Sequence, residues 1–244
     1  MKQSQKISDW IKKQVLSAGA KGCVVGLSGG VDSAVVAVLC KKAFPKTTMG
    51  LIMPCHSFSE DAEHARLLAE THRLQTIVVD LTIAFDDLYK NFEKRVYSQE
   101  KGLAIANLKP RLRMLSLYYF ANKQNYLVIG TGNKSELNMG YFTKYGDGGV
   151  DLLPLGGLLK SQVKKLAAEL RIPQDIIDKP PSAGLWHGQT DETEMGVTYA
   201  ELDKAITALE TNKTDKCDQK TLRLLKSRQK VIQHKLTTPP IFQP

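Results

Sequence analysis

The sequence predicts an α/β domain in which one parallel sheet is flanked by helices. Short apolar runs of strand length alternate with longer segments of helical period along most of the 244 residues. These runs are apolar throughout rather than alternating, which is typical of strands buried on both faces of a parallel sheet. We expect roughly five strands and a single domain over residues 1–244, with further helices appended at the carboxyl end.

Each predicted strand is a short apolar run. The strands are predicted at residues 22–27, 49–53, 76–81, 126–130 and, as a shorter fifth run, 150–155. Segments with helical spacing lie around them, at residues 7–18, 33–44, 59–73, 82–97, 108–122, 160–170, 199–209 and 221–234.

Local signals indicate where several helices begin and end. Pro45 ends the second helical segment, and Pro110 is tolerated only in the first turn of a later one. Ser59 is expected to cap the helix that follows it, whose acidic first turn suits the helix dipole. The glycine-bearing stretch 131–149 predicts irregular chain.

The composition is that of a chain able to bury a sizeable core, with 42% apolar residues. The amino terminus lacks the apolar segment of a signal peptide, and no apolar stretch approaches the length of a membrane span. The cysteines show neither CxxC pairing nor metal-like spacing with histidine, which indicates free thiols. We therefore expect a cytoplasmic protein with no membrane partner. The cysteines are Cys23, Cys40, Cys55 and Cys217.

The formal net charge is +9, and a basic excess is visible near the carboxyl end. Such an excess suits a polyanionic partner, either nucleic acid or a phosphate-rich small molecule, although a solvated helix face is the simpler alternative. Interleaved aromatic residues, which would favour single-stranded nucleic acid, are missing there, and we expect no nucleic-acid partner. The basic residues are Lys220, Arg223, Lys226, Arg228, Lys230 and Lys235.

The most informative stretches of sequence follow the predicted strands. GLSGGVDS comes after the first strand, MPCHS after the second and GTGNKSE after the fourth. Because ligands of parallel α/β sheets gather at the carboxyl ends of the strands, we expect these three stretches to converge on one site.

The first stretch, Gly26–Ser33, is a glycine-rich turn between a strand and a helix. A Walker A loop needs a lysine followed by Ser or Thr after its last glycine, but Val31 and Asp32 follow Gly30. The dinucleotide-binding fingerprint also fails, because Ser28 stands at its second glycine.

The residue types of this loop nevertheless point to phosphate. Gly29 and Gly30 let the backbone approach an anion, and the loop amides with the helix start form a positive concavity. Ser28 and Ser33 add hydroxyl donors. A carboxylate should repel phosphate, so Asp32 predicts a Mg²⁺ ion that bridges it to the phosphates. The alternative is a tight turn in which Asp32 only caps the helix.

The loop SGGVDS resembles the pyrophosphate loop of the ATP pyrophosphatases, which split ATP between the α and β phosphates and adenylylate an acceptor oxygen. The stretches Asn107–Met114, Gly130–Glu136 and Tyr141–Leu155 look like those of the NAD⁺ synthetases. Shorter matches at 160–163, 180–186, 191–194 and 234–235 extend the resemblance over nearly the whole chain. It implies the adenine-nucleotide alpha-hydrolase-like fold.

The resemblance implies the final step of NAD biosynthesis. In that reaction the nicotinate carboxylate of deamido-NAD⁺ is activated by ATP as an NAD-adenylate, pyrophosphate leaves, and ammonia then displaces AMP. Some relatives carry a fused glutaminase domain that releases ammonia from glutamine, but nothing in residues 1–244 resembles one, so free ammonia is the expected donor. Family members are homodimers, and the apolar run Met114–Phe120 is a candidate for part of the interface, with core packing as the alternative.

The family's site residues carry over to matching positions. Asp32 and Glu136 match the Mg²⁺ ligands, and Asp32 and Lys160 are the expected catalytic residues. Without the resemblance, Lys160 would be taken for a surface lysine and Glu136 for a surface cap. The expected ATP contacts are Gly26, Leu27, Ser28, Gly29, Gly30, Val31, Asp32, Ser33, Thr131, Lys160 and Ser182. The expected deamido-NAD⁺ contacts are Arg111, Lys144, Asp151, His234 and Lys235.

Two rival hypotheses account for only part of these sequence features. One keeps the loop but changes the acceptor, as in a tRNA-modifying or GMP-forming enzyme. The other is a nucleic-acid-binding module that uses the basic carboxyl end, and it leaves the loop around Asp32 unexplained.

Overall fold

The computed structural model describes residues 1–186 and 188–243; His187 and Pro244 lie outside the described residues. The predicted α/β fold class is confirmed. The strands are β1 Cys23–Gly26, β2 Thr48–Ile52, β3 Gln75–Val78 and β4 Leu127–Val128. The helices are α1 Gln3–Ser17, α2 Val31–Ala43, α3 Ser59–His72, α4 Thr82–Glu93, α5 Leu103–Ala106, α6 Leu108–Gln124, α7 Lys134–Met139, α8 Lys160–Glu169, α9 Gln174–Asp178, α10 Asp191–Met195, α11 Tyr199–Glu210, α12 Gln219–Val231 and α13 Gln233–Leu236, with a 3₁₀ turn at Thr214–Lys216.

All pairings in the sheet are parallel, in the order β3-β2-β1-β4. Val24 of β1 pairs with Met49 on one side and with Val128 on the other. The chain moves outward from β1 to β2 and β3 and then returns to the other side of β1 with β4. This reversal creates a crevice at the carboxyl end of β1, where ligands of such sheets bind.

The predicted fifth strand contributes only a single bridge. Leu152 forms an isolated parallel bridge with Ile129, and the sheet has four strands within the described residues. Pro154 has no backbone N–H to donate, and glycines precede the run, which limits its pairing. The run still lies beside the end of β4, since the Gly130 amide donates to the Leu152 carbonyl at 2.8 Å.

Helices cover both faces of the sheet. Val25 points into a core shared with α1, α2 and α8, whereas its neighbour Val24 points into a second core with Phe85 and Tyr89 of α4. The carboxyl-terminal helices form a third core around Leu202 and attach to the sheet domain through α7. The predicted appended helices are therefore present.

Two sequence-based details were wrong. Ser59 is the first residue of α3 rather than the residue that caps it. The single helix predicted at 221–234 is divided between α12 and α13, with Ile232 between them.

Among the described residues, no helix combines the length and the apolar character needed to cross a bilayer.

Candidate active site

The glycine-rich loop joins β1 to α2 at the carboxyl edge of the sheet. Gly29 has a φ angle of +76°, and a Cβ at this position would overlap the backbone carbonyl of Asp61 in the first turn of α3. Both facts require glycine. Gly30 immediately precedes α2, so the unpaired amides of that helix's first turn lie at the loop.

The serine hydroxyls hold the shape of this loop. Ser28 Oγ donates to Ser33 Oγ at 3.0 Å, and Ser33 Oγ donates to the Gly30 carbonyl at 2.9 Å. The Ser28 and Gly30 amides in turn donate to these hydroxyls, at 3.2 and 3.3 Å respectively. Each hydroxyl proton therefore has an acceptor inside the loop, and the predicted donation to phosphate would require the serines to re-orient.

A buried lysine lies between two carboxylates beside the loop. Lys160 Nζ contacts Asp32 Oδ2 and lies 3.7 Å from Glu136 Oε1. Asn133 Nδ2 donates to the other carboxylate oxygen of Asp32 at 2.9 Å. Only 4% of the Lys160 side chain is exposed, so these charges interact with little screening by water. Lys160 is thus not the surface lysine that the helical sequence pattern alone would predict.

Short helices bring these side chains together. Asn133 and Glu136 form a reciprocal cap at the start of α7, in which each side chain accepts a hydrogen bond from the other residue's backbone amide. Lys160 is the first residue of α8, and its amide donates to Ser135 Oγ at 3.1 Å. Glu136 therefore caps α7 while its other oxygen faces Lys160.

The charges in this cluster perturb one another. Burial, together with the nearby Asp32 charge, raises the pKa of Glu136 to about 8. Burial opposes the charge on Lys160, but Asp32 and Glu136 outweigh it and raise the pKa of Lys160. Lys160 therefore stays protonated, while Glu136 favours the neutral form unless a second cation is present.

Asp191 and Tyr199 complete the cluster. Tyr199 donates to Asp191 Oδ2 at 2.9 Å, lies 3.3 Å from Glu136 Oε1, and has the Lys160 ammonium 4.9 Å from its ring centroid. Asp191 is buried, its second oxygen has no hydrogen-bond partner among the described residues, and burial raises its pKa. Three carboxylates thus surround one lysine, an excess of acceptors that suits an added cation.

Asp32 and Glu136 are the side chains best placed to hold a divalent ion. Both offer hard oxygen ligands, and Lys160 contacts both, so the carboxylates lie close together. No group of three or more His, Cys, Asp or Glu within the described part of the chain forms a complete metal site. This arrangement fits Mg²⁺, which usually keeps water and phosphate ligands beside one or two carboxylates.

A cavity of about 180 Å³ lies beside Glu136 and the residues that follow β4. Its lining combines residues predicted for different roles: Thr131 for ATP, Glu136 for the metal and Lys235 for the dinucleotide. Asp147 also lines it, and burial raises the pKa of that carboxyl. One residue of each predicted set therefore lines this cavity.

Four of the predicted dinucleotide contacts form a connected basic group. The Lys144 ammonium contacts the His234 carbonyl, and Arg111 donates to the Lys144 carbonyl at 3.4 Å. Lys235 donates to the carbonyls of Gly140 and Phe142, both at 2.8 Å. These bonds join the carboxyl-terminal helix to the glycine-bearing stretch after α7.

The fifth predicted dinucleotide contact, Asp151, and the predicted ATP contact Ser182 are held separately. The Asp151 carboxylate accepts hydrogen bonds from the Tyr118 hydroxyl at 2.9 Å and from the Val128 amide at 2.8 Å. Ser182 is exposed, and its hydroxyl accepts from the Gly184 amide at 3.1 Å. Their ligand contacts stay predictions.

Comparison with known proteins identifies the family. A family model described as NAD synthase matches residues 3–239. The chain belongs to this family.

Several NAD synthase relatives match over most of the chain. The NH(3)-dependent NAD(+) synthetase of Carboxydothermus hydrogenoformans is 48% identical, with 98% of this chain and 96% of the relative covered. An NMN synthetase structure from Francisella tularensis has a TM-score of 0.87 at 39% identity, covering 98% and 97% of the two chains. An NH3-dependent NAD synthetase structure from Campylobacter jejuni has a TM-score of 0.82 at 32% identity, with the same coverage.

Two residues in this NAD synthase fold, Asp191 and Tyr199, were given no role from the sequence although they contact the carboxylate cluster. Lys109 and Arg113 of α6 were also given none, although each donates to a backbone carbonyl distant in sequence. Asp191 belongs to a stretch that carried the family resemblance, but nothing in the sequence indicated its burial beside Glu136. Lys109 and Arg113 lie on one face of α6 by their spacing of four residues. That spacing predicts that the two side chains lie on the same face of α6. It does not predict which face of the helix packs toward the edge of the sheet. Tyr199 looked like an ordinary helix residue.

Proposed function

We propose that this chain is an ammonia-dependent ligase that converts deamido-NAD⁺ to NAD⁺ and splits ATP into AMP and pyrophosphate. The observation that carries the proposal is the Asp32–Lys160–Glu136 cluster beside a phosphate-type loop, in a chain whose relatives along almost its whole length are NH(3)-dependent NAD(+) synthetases. The reaction forms a C–N bond in the final step of NAD biosynthesis.

The loop and Lys160 would bind ATP. The amides of Gly26–Ser33 and the start of α2 provide a positive concavity for the β and γ phosphates, which leave as pyrophosphate. Thr131 and Ser182 are proposed as further ATP contacts. Asp32 and Glu136 would hold Mg²⁺, which would supply positive charge beside the phosphates when bound.

The chemistry proceeds in two displacements. A carboxylate oxygen of the substrate attacks the α phosphorus of ATP, and the bond to the β phosphate breaks. Lys160 is already protonated and buried beside the loop, so it stabilises the negative charge that moves onto the leaving pyrophosphate. Ammonia then attacks the activated carbonyl carbon, AMP leaves, and a proton is lost from nitrogen to give the amide.

The connected basic group described above would bind the dinucleotide. Arg111, Lys144 and Lys235 provide positive charge for its pyrophosphate bridge, with His234 adjacent. The Asp151 carboxylate would accept hydrogen bonds from the substrate in place of one from Tyr118.

A shorter acceptor is the second candidate. The structural neighbour from Francisella tularensis is named an NMN synthetase, and a pyridine mononucleotide carboxylate could be amidated by the same chemistry. The relatives at 43% identity or more over nearly the whole chain are NAD(+) synthetases, which favours the dinucleotide.

The deciding experiment is a product assay with ATP, Mg²⁺ and ammonium. With deamido-NAD⁺ the purified chain should form NAD⁺, AMP and pyrophosphate, and faster than it amidates nicotinic acid mononucleotide. Parallel reactions with glutamine should be slow, because residues 1–244 are proposed to act as one synthetase domain fed by free ammonia. Formation of ADP would exclude the adenylate mechanism, and preference for the mononucleotide would transfer the assignment to NMN synthesis.

We further propose that the enzyme acts as a homodimer in the cytoplasm. A reducing compartment fits its free cysteines, of which Cys23, Cys40 and Cys55 are buried.

A further inference from the structure

Asp203 of α11 is a buried carboxylate that the proposed chemistry does not use. Its exposed fraction is 7%, and none of the salt bridges between described residues includes it. Burying a carboxylate without a cationic partner is costly unless hydrogen bonds to its charged form replace those of water. The donors around Asp203 therefore indicate its role.

Both carboxylate oxygens of Asp203 accept hydrogen bonds from residues distant in sequence. The Ser135 hydroxyl donates to Oδ1 at 2.6 Å, and the Ser161 amide donates to Oδ2 at 3.0 Å. Ser135 belongs to α7 and Ser161 to α8. Hydrogen bonds to an ionised acceptor are stronger than those between neutral groups, so the Asp203 side chain joins α11 to both of these helices.

The first two amides of α8 depend on this connection. A helix offers no acceptor of its own to its first amides, and the side chain of Leu159, which precedes α8, has no acceptor atom. The Lys160 amide donates instead to Ser135 Oγ at 3.1 Å, and the Ser161 amide donates to Asp203. Because the Ser135 hydroxyl gives its only proton to Asp203, its oxygen is free to accept from Lys160. Asp203 thus caps α8 from another helix.

The backbone held in this way carries two members of the carboxylate cluster. Ser135 directly precedes Glu136, and the amide that Ser135 accepts is that of Lys160 itself. The Lys160 ammonium lies 3.7 Å from Glu136 Oε1. The link from Asp203 through Ser135 therefore fixes the two backbone positions from which these side chains extend toward each other.

α11 is a well-anchored support for this link. Leu202 and Ile206 are almost fully buried in the third core. Tyr199 lies four residues before Asp203, on the same face of the helix, and its hydroxyl is 3.3 Å from Glu136 Oε1. One face of α11 thus provides a side chain that contacts the cluster and another that holds the backbone beneath it.

We propose that Asp203 is a positioning residue for adenylylation, which holds the start of α8 against α7 so that Lys160 and Glu136 keep their relative placement. This inference rests on the proposed function. Without the Asp203 charge, the Ser135 hydroxyl and the Ser161 amide lose their acceptor, and the start of α8 is free to shift. A small displacement of a charged group beside the reacting phosphates lowers the rate of the chemical step, whereas the basic group that binds the dinucleotide is unaffected.

Steady-state kinetics of pyrophosphate release tests this role. Asp203→Asn keeps the size of the side chain and removes its charge. It should lower kcat by about ten-fold or more, while the KM for deamido-NAD⁺ changes by less than about two-fold. Asp215→Asn changes an exposed aspartate that follows α11 in the same way and should leave both constants unchanged.

Ser135→Ala interrupts the same link at the hydroxyl. It should also lower kcat at unchanged KM, and the double variant should lose less than the product of the two single losses, because both substitutions break one connection. Losses that multiply in full would overturn the proposal, and so would a wild-type kcat in Asp203→Asn. A KM that rises as much as kcat falls would also overturn it, since a general loosening of the fold acts on both constants. If Asp203→Asn does not fold, Ser135→Ala serves with the same criteria.

Amide hydrogen exchange of the full metal-free chain, followed by NMR, gives a readout independent of activity. The Lys160 and Ser161 amides should exchange faster in Asp203→Asn than in Asp215→Asn, because these amides have no acceptor within α8. Equal exchange in the two variants would reject the cap whichever acceptor the enzyme amidates. A wild-type chain that forms no NAD⁺ would reject the proposed function and the role of Asp203 in adenylylation with it.

Discussion

At the scale of single residues, the two candidate metal ligands have different surroundings. Asp32 accepts a hydrogen bond from the Asn133 side chain and contacts the Lys160 ammonium, whereas Glu136 accepts one from the Asn133 amide and faces the ammonium from 3.7 Å. Asp32 is therefore positioned mainly by hydrogen bonding, and Glu136 by its cap on α7.

Removing either carboxylate charge should stop adenylylation. We expect Asp32→Asn and Glu136→Gln each to lower pyrophosphate release by about 10²-fold or more, because charge neutralisation beside the phosphates is lost. Their circular dichroism should stay close to wild type, which shows that the variants are folded. Glu169→Gln alters an exposed carboxylate of α8 and should retain full activity. Wild-type turnover in either site variant would remove the proposed metal ligands.

The raised pKa of Glu136 predicts how stability changes with pH when metal is removed. A carboxyl whose pKa rises from 4.5 to about 8 on folding binds its proton more tightly in the native state. Stability from this group is complete below pH 4.5, and it is lost as the pH rises through 8. The metal-free wild type should therefore lose more thermal stability between pH 6 and 9 than Glu136→Gln does. If thermal stability changed with pH to the same extent in both proteins, the raised pKa of Glu136 would be contradicted.

At the scale of elements, the loop between β1 and α2 depends on one glycine. Gly29→Ala places a side chain in a left-handed backbone conformation and against the Asp61 carbonyl, so it should cost about 1–3 kcal/mol of unfolding free energy. Chemical denaturation measures this cost. Gly157→Ala is the control, because no described atom lies within 4 Å of its Cβ position, and it should change stability by less than about 0.5 kcal/mol. Equal stability of the two variants would show that the loop can adapt.

The sequence predicted the elements of this fold where local signals agree. β1, β2 and α2 follow from unbroken apolar runs and the glycine loop between them. The fifth strand was over-predicted because apolar character alone does not provide a pairing partner, and only the bridge of Leu152 formed. Ser59 was expected outside α3, but the chain can start that helix one residue earlier, since Ser59 is also acceptable within a first turn.

At the scale of the whole molecule, the site consists of residues far apart in sequence. Motif resemblance predicted Asp32, Glu136 and Lys160, which the fold brings into contact. Lys109 and Asp191 could not be assigned in this way, because their contacts depend on which loop packs on which helix face. The residue pattern of a helix shows which side chains share a face. Only the tertiary packing determines which groups that face contacts.

The outward stripe of α6 predicts the oligomeric state. Arg111, Leu115 and Tyr119 recur every four residues, and Leu115 and Tyr119 are 63% and 60% exposed in the single chain. Because this apolar stripe begins at a proposed dinucleotide contact, burying it against a second copy would place the interface beside the substrate. Sedimentation should show a dimer for the wild type and a monomer for Leu115→Glu. In a kinetic assay, Leu115→Glu should have a raised KM for deamido-NAD⁺. Leu16→Glu, at an exposed leucine of α1, should remain dimeric. A wild-type monomer with full activity would exclude this interface, and a dimeric Leu115→Glu would move it to another surface.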